Sequence, residues 1–300
     1  MRISTSMLYD LGVSSINTQM AQLLKTQQQV ATGRRILAPA DDPVGAATAL
    51  ENEKSLGVVN QYVSNIGSAR SSLSLEETVL SNVGQVLQNA RQDVVNGGNP
   101  TLNAANKTAL ATSLRSAYDQ LLSLANSRDG QGNYMFSGFK TGTQPFTQSS
   151  GAGVYAGDQG QNKLQISASR QIPITDSGQN VFKPGVAGSD PFATIETFIT
   201  ALNSGTVTSS DLTTALNGID SAMNNVLRVR SAVGTRQNEL DSTEITNQDS
   251  ATQYQSLISQ LRDVDYTKAI SDLTRQQTGL QAAQKSFTTV QGLSLFNYLR

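Results

Sequence analysis

The residues of this chain that could do chemistry are mainly acidic, because its 300 residues include no histidine and no cysteine. That composition excludes a Ser-His-Asp triad, histidine general-base catalysis and zinc sites built from thiolate or imidazole ligands. Carboxylate and lysine chemistry remain possible. Two acidic pairs stand out, Asp41 with Asp42 and Asp263 with Asp265. Each pair could hold a metal ion or work as an acid and a base.

A structural role explains these acidic pairs better. Neither pair is accompanied by the residues that complete a calcium loop or by a second catalytic group. Pro43 follows Asp42, and proline suits the first position of a helix. An aspartate just before a helix accepts hydrogen bonds from the first turn. We therefore interpret Asp42 and Asp265 as helix caps.

A glycine-rich stretch in the middle of the chain imitates a phosphate-binding loop. A phosphate loop needs a strand leading in and a helix following, and neither is evident here. We interpret these glycines as turns of a surface domain. The glycines are Gly151, Gly153 and Gly157, and the nearby carboxylates without an evident partner are Asp158, Asp176 and Asp190.

The sequence therefore argues against an enzyme, and we expect no cofactor and no metal. The formal net charge is −1 and there is no basic block, which argues against nucleic acid as a partner. No apolar run reaches the roughly 18 residues of a membrane-spanning helix. The start of the chain lacks the apolar segment of a secretory signal. If the protein leaves the cell, we expect a route without a cleaved signal peptide.

The elements that carry these residues are mostly long helices. Apolar residues recur every seven positions along a helix predicted over 44–96, which is typical of coiled-coil packing. A glycine and proline cluster at 97–100 ends it. Further helices are predicted over 103–128 and 209–262. The seven-residue positions are Val59, Ile66, Leu73, Leu80, Leu87 and Val94 in the first helix, and Ile219, Val226, Val233 and Leu240 in the last.

Residues 130–195 have a different pattern, because glycine and proline cluster there and helical periodicity vanishes. Four short strands are predicted, at 134–136, 153–155, 163–167 and 171–175. We interpret the region as a small β-rich domain inserted between two helices. We expect that a short linker could replace about 141–195 without loss of the helices.

Both ends of the chain carry amphipathic stripes that must be buried against something. Apolar residues recur at intervals of three and four over 1–35 and again over 266–300. The predicted fold is mainly α with a β-rich insert. Both termini form a long antiparallel helical rod or coiled coil, and a small β domain is added to it.

Several motifs at both ends resemble the bacterial flagellin superfamily. They are Met1 to Met7, Gln28 to Ile36, Pro39 to Pro43, Val233 to Leu240, Asp263 to Leu273 and Leu293 to Arg300. Within the superfamily, three features favour the hook-associated junction proteins over flagellin itself. These features are the opening Met-Arg-Ile-Ser-Thr, the segment Asp129 to Phe139, and the ending Ser294 to Leu299.

The resemblance implies three regions and a place in the flagellum. The regions are a terminal coiled-coil assembly region (1–40 and 263–300), a helical rod domain (41–136 and 200–262) and a β-rich outer domain (137–199). The implied partners are further copies of the chain in a ring or helical layer, the neighbouring hook-associated junction protein, flagellin, and an export chaperone on the C-terminal region. The implied location is extracellular, after export through the flagellar secretion channel.

Two sets of residues are candidates for function. The predicted assembly interface consists of Ile16, Met20, Leu23, Leu273, Leu280, Phe287, Leu293, Phe296 and Leu299. The predicted hinge between layers consists of Arg35, Pro39, Asp42 and Pro43. The nearest alternative function is a flagellin-type filament subunit. Two further alternatives are a flagellin-like enzyme with hydrolytic chemistry in the insert and a soluble coiled-coil effector or adhesin.

Overall fold

The computed structural model describes residues 5–149, 152–183 and 189–292. Over those residues the fold is mainly α with a β-containing insert, as predicted. The helices are α1 (Thr5–Thr32), α2 (Pro43–Gly97), α3 (Ala104–Ala125), α4 (Gly178–Phe182), α5 (Pro191–Asn203), α6 (Ser209–Arg262) and α7 (Tyr266–Gly292). The strands are β1 (Phe146–Ser149), β2 (Ala152–Tyr155), β3 (Lys163–Ser167) and β4 (Arg170–Pro173).

The long helices begin and end where their sequences predict. The Asp42 carboxylate accepts a hydrogen bond from the Gly45 N–H at 2.9 Å, so Asp42 caps α2, and Pro43 is its first residue. Asp265 likewise accepts a hydrogen bond from the Lys268 N–H at 3.1 Å and caps α7. Both carboxylates predicted as caps are therefore confirmed in that role.

The chain divides into two compact units. One comprises 1–58 and 249–300, and the other comprises 59–248. In the second unit the seven-residue seams of α2 and α6 form the core. Five of the six predicted positions on α2 and all four on α6 are buried, and Val59 is half-buried. The prediction of two helices that bury a narrow seam is confirmed there.

Ion pairs show that α2 and α6 run antiparallel in the second unit. Arg91, near the end of α2, pairs with Asp220 near the start of α6, at 2.7 Å. Farther back along α2, Arg70 pairs with Asp241 at 2.7 Å. These exposed pairs fix orientation more than they add stability, because solvent screens them.

Two short antiparallel hairpins make up the β structure. β1 pairs with β2, and β3 pairs with β4. Three of the predicted strands correspond to β2, β3 and β4. The strand predicted at 134–136 is wrong: these residues lie in turns, with only an isolated bridge between Tyr134 and Arg128. The sequence also missed β1, α4 and α5.

The insert does not pack by itself. The Phe146 ring of β1 lies 5.3 Å from the Phe192 ring of α5, and Phe192 lies 5.5 Å from the Tyr118 ring of α3. Phe182 of α4 completes the group, 5.3 Å from Phe146. All four side chains are essentially buried. This aromatic cluster belongs to the same apolar core as the α2 and α6 seams.

Gly153 belongs to this packing and is not part of a turn, which corrects its sequence interpretation. It lies in β2 and is buried, and a Cβ added to it would lie 2.8 Å from the Phe192 ring. Gly157 does lie in the connection that follows β2, and the next element is a strand. A phosphate loop would need a helix there. Gly151 lies outside the described residues.

In the first unit, α1 and α7 pack against each other. The contacts run in opposite directions along the two helices. The built Cβ position of Gly12 lies beside Phe287, and the Gly33 carbonyl at the other end accepts a hydrogen bond from the Val264 N–H at 2.9 Å. The antiparallel pairing of the two terminal regions is therefore present within one chain.

Candidate assembly surface

The seam between α1 and α7 is narrow, and one aromatic residue, Phe287, lies between the two helices beside Gly12. The Phe287 ring lies where a side chain on Gly12 would stand, 2.6 Å from the position of an added Cβ. The same ring lies 5.4 Å from the ring of Tyr9. Glycine at position 12 lets the two helices accommodate a phenyl group between them. Any larger residue there would displace Phe287.

The structure brings most of the predicted interface residues to this seam. Ile16, Leu23, Leu273, Leu280 and Phe287 are each half-buried. A two-helix pair can cover only part of each apolar stripe, so these side chains keep one flank open. Leu293, Phe296 and Leu299 lie outside the described residues.

Beyond the seam, several large apolar residues of both helices face solvent. Met20 is 50 % exposed, so the structure places it outside the half-buried seam. Tyr9, Leu24 and Tyr266 are also exposed, and sequence reasoning missed them because they fall outside the stripe. That this surface is an assembly interface stays a prediction, and the exposed apolar side chains are the observation that bears on it. The exposed set is Met7, Tyr9, Leu11, Met20, Leu24, Tyr266 and Ile270.

Polar atoms interrupt the seam. The Oε1 atoms of Gln19 on α1 and Gln276 on α7 are buried and have no hydrogen-bond partner among the described residues. A buried polar atom without a partner costs free energy, so the pairing of these two helices is weaker than a wholly apolar seam. Buried polar residues in coiled coils can also specify register.

Three of the four predicted hinge residues, Arg35, Pro39 and Asp42, lie in the connection between α1 and α2, which we call the joint (residues 33–42). The fourth, Pro43, is the first residue of α2. The Arg35 guanidinium donates to the Leu261 carbonyl at 2.7 Å and to the Asp42 carboxylate at 3.2 Å. The Arg35 N–H donates to the Arg262 carbonyl at 2.6 Å. One arginine therefore ties the joint to the last turn of α6.

The acidic pair of the joint is held ionised. Lys25 donates to Asp41 at 2.6 Å and lowers the pKa of that carboxyl, helped by the N–H groups of Ala38 and Leu37. The hydrogen bond from the Gly45 N–H lowers the pKa of Asp42, and Arg35 adds to the effect. Each carboxylate is committed to neighbouring backbone donors and a cation. Neither is free to act as a base.

The joint also contains a left-handed residue. Gly33, which follows α1, has φ +70°, a conformation that side chains with a Cβ rarely adopt. A Cβ at this position would also lie 3.0 Å from the hydroxyl of Tyr266. Both the turn and the close approach of α7 therefore require glycine. Pro39 lies in the turn between Gly33 and Asp42.

No group of three acidic residues is placed to hold a metal ion in the described part of the chain. A depression of about 720 Å³ is lined by α7 side chains alone, so it is a helix surface without an opposing wall. Among the described helices, none has the length and apolar character to cross a membrane.

Comparison with known proteins gives a consistent result over the whole chain. The bacterial flagellin N-terminal helical region matches residues 3–141, and the bacterial flagellin C-terminal helical region matches residues 216–299. Flagellar hook-associated protein 3 of Escherichia coli (strain K12) is 37% identical, with 99% of each chain covered. The protein of the same name from Salmonella typhimurium (strain LT2) is 36% identical, with 100% of each chain covered.

Solved structures agree with these relatives. A putative flagellar hook-associated protein from Vibrio parahaemolyticus is similar with a TM-score of 0.71 at 26% identity, covering 74% of this chain and 100% of that one. Hook-associated protein 3 from Legionella pneumophila has a TM-score of 0.64 at 22% identity, covering 70% of this chain and 98% of that one. The second likeness is evidence for the fold alone.

Proposed function

Because the chain belongs to the hook-associated protein 3 family of flagellin-like proteins, we propose that it forms the layer between the flagellar hook and the filament. It is a structural protein of the bacterial flagellum. Its relatives match it over at least 99% of the chain and are named flagellar hook-associated protein 3, so the flagellin-type filament subunit is the disfavoured alternative. The single observation that carries the proposal is this full-length similarity.

The proposed partners follow from that position. They are further copies of the chain, the neighbouring hook-associated junction protein on the hook side and flagellin on the filament side. An export chaperone on the C-terminal region and passage through the flagellar secretion channel complete the proposal. No catalytic role is proposed, since each acidic residue at the joint is engaged by its own neighbours.

We propose the α1 and α7 surface as the contact between subunits. Its support is the combination of a half-buried seam with exposed apolar side chains on the same two helices. Covering one such side chain is worth on the order of 1.5–3 kcal/mol. A subunit in a closed layer repeats these contacts with each neighbour. A contact that is weak in isolation becomes strong when the layer forms.

The joint is proposed as the place where the terminal region is oriented for assembly. Arg35 and Asp42 make the hydrogen bonds that fix its conformation, and Pro39 and Pro43 limit its backbone freedom. A change in the direction of α1 would have to break the Arg35 contact with the Leu261 carbonyl. The hinge role of these residues thus stays a proposal. In this proposal the conformation of the joint depends on a small number of hydrogen bonds.

Deletion of the gene, with electron microscopy of the cells, tests the proposed function. We expect hooks without filaments and unpolymerised flagellin in the medium. Hooks without filaments and without unpolymerised flagellin in the medium would instead favour the filament-subunit alternative. Normal filaments in the deletion strain would contradict the junction role. Complementation with the wild-type gene is the control.

A negative charge added to the exposed surface of α1 tests the subunit contact. Met20→Asp adds a carboxylate that assembly would have to desolvate, so we expect loss of filaments with unchanged melting of the purified monomer. Asn17→Asp is the matched control, since it adds the same charge at an exposed polar position of α1. Motile cells carrying Met20→Asp would remove this residue from the interface.

A further inference from the structure

One position of the α2 seam is occupied by an acid. Glu76 stands in the seven-residue series between Ala69 and Val83, and both of those neighbours are fully buried. Glu76 itself is only 2% exposed. A carboxyl group in an apolar seam costs stability unless it is paired or neutral. Packing alone therefore does not explain an acidic residue at this position.

The surroundings of Glu76 provide one cation for two acids. The Arg236 guanidinium of α6 makes a bidentate pair with Asp176, at 2.8 and 3.1 Å. Gln161 donates to the same Asp176 carboxylate at 2.8 Å. Among the described residues, Glu76 accepts a hydrogen bond only from the backbone N–H of Asp176, at 3.2 Å. Its Oε2 has no partner among them. Arg236 is thus already used by the other acid.

This geometry keeps Glu76 protonated near neutral pH. Burial raises the pKa of Glu76 to about 8, and the negative charge of Asp176 adds to the rise. The charged groups that face Glu76 are Asp176 from the insert, Arg236 from α6 and Glu77 from α2 itself. Arg230 of α6 is 2.6 Å from Glu77 and engages its charge.

We propose that Glu76, Asp176 and Arg236 form a pH-gated latch that holds residues 157–177 of the insert against α2 and α6, and that opens when Glu76 becomes a carboxylate. The three groups come from three separate segments, so the cluster closes only when all of them meet. Moving the Asp176 segment away from α2 admits water to Glu76 and removes the repulsion between the two acids. Protonation restores the closed form.

The direction of the pH response follows from how tightly the closed and the open form each bind the Glu76 proton. The closed form binds the Glu76 proton more tightly than the open form, so closure is fully stabilised below about pH 4.5. The stabilisation falls as pH rises and is lost at the folded value, about pH 8. Between these limits the ratio of the open to the closed form grows by about tenfold for each pH unit, and above the upper limit this ratio is constant.

Hydrogen exchange of the purified full-length chain between pH 5 and 9 tests the latch. Exchange rates are corrected for the intrinsic effect of pH on amide exchange. We expect protection over residues 161–176 to fall with rising pH and to level off near pH 8, while α3 amides stay unchanged. In Glu76→Gln the same amides should stay protected at every pH. Glu51→Gln, which removes a charge at an exposed position of α2, is the control and should behave as wild type.

Three results would overturn the latch. They are a pH-independent wild type, a Glu76→Gln variant that keeps the wild-type pH response, and a loss of protection that spreads equally through α2 and α3. Asp176→Asn gives a second reading, because Arg236 is then free to pair with Glu76. We expect its response to end at a lower pH. If Asp176→Asn fails to fold, the Glu76→Gln comparison still decides the question.

Discussion

The α2/α6 pair and the α1/α7 pair carry apolar residues at similar helical spacing, yet they bury them to different extents. Leu80 and Leu240 in the first pair are completely buried, whereas Leu280 and Ile16 in the second pair are half-buried. The first pair is covered further by α3, α5 and the insert, whose side chains join the same core. Among the described residues, α1 has α7 as its main partner.

The difference shows that apolar periodicity identifies which face of a helix is apolar, but it does not indicate how many neighbouring elements pack against that face. A helix needs neighbours on more than one side before its stripe is sealed from water. The α1/α7 pair leaves apolar side chains exposed among the described residues, whereas the α2/α6 seams are sealed.

The largest expected effect comes from placing the same acid in both seams. Leu80→Asp puts a carboxylate at a fully buried position, and we expect loss of cooperative melting, since such changes cost more than about 4 kcal/mol. Leu280→Asp should leave melting of residues 59–248 nearly unchanged, because its carboxylate can reach water at the open flank. Circular dichroism during heating measures both. If the two substitutions had equal effects on melting, the difference in burial between the two seams would have no consequence for stability.

The second prediction concerns the insert as part of the same core as the α2/α6 seams. Phe146→Ala removes a buried ring at the centre of the aromatic cluster, and we expect a loss of roughly 3–5 kcal/mol in the free energy of unfolding. Phe139→Ala is the control, because Phe139 is 64% exposed. Urea titration gives both values. A small effect at Phe146 would support the sequence expectation that a linker could replace residues 141–195.

The smallest effect is expected at the joint between α1 and α2. Asp42→Ala removes a cap and the partner of Arg35, so we expect faster amide exchange over residues 44–46. Asp42→Asn should restore most of the protection, because asparagine also caps helices.

The same carboxylate predicts an acid response. The lowered pKa of Asp42 means that its contribution is present above the unfolded value of about 3.8 and is lost as pH falls through the folded value. Asp42→Asn should lack this part of the response. An identical acid response in the wild type and in Asp42→Asn would show that other groups dominate the joint.

Much of the fold could be predicted because its signals are local. The bounds of α2 follow from Asp42, Pro43 and the glycine and proline cluster at its end. The seams of α2 and α6 follow from seven-residue spacing. The strands at 153–155 and 163–167 follow from short runs of strand-forming residues between turns.

Other features depend on contacts that are distant in sequence. Residues 134–136 resemble a strand in composition, but the Tyr134 N–H donates to the Thr141 carbonyl and the Met135 N–H to the Ser127 carbonyl. The left-handed Gly138 follows them, and they lie in turns. Helix α5 has a clear stripe that includes Ile195 and Phe198, and it was missed because glycine and proline precede it. Exposure of Met20 depends on the number of neighbours, which one sequence does not state.

The attachments of the insert have a consequence for how the protein can change over time. Asn225 and Asn247 of α6 donate to the carbonyls of Val181 and Ile166, at 2.6 and 2.9 Å, and Asn65 of α2 donates to the Gln165 carbonyl at 2.7 Å. Every residue type presents the same carbonyl. Exposed positions such as Gln165 can therefore diverge freely without loss of these attachments, and selection for new outer surfaces can proceed while the helices that hold them stay constant.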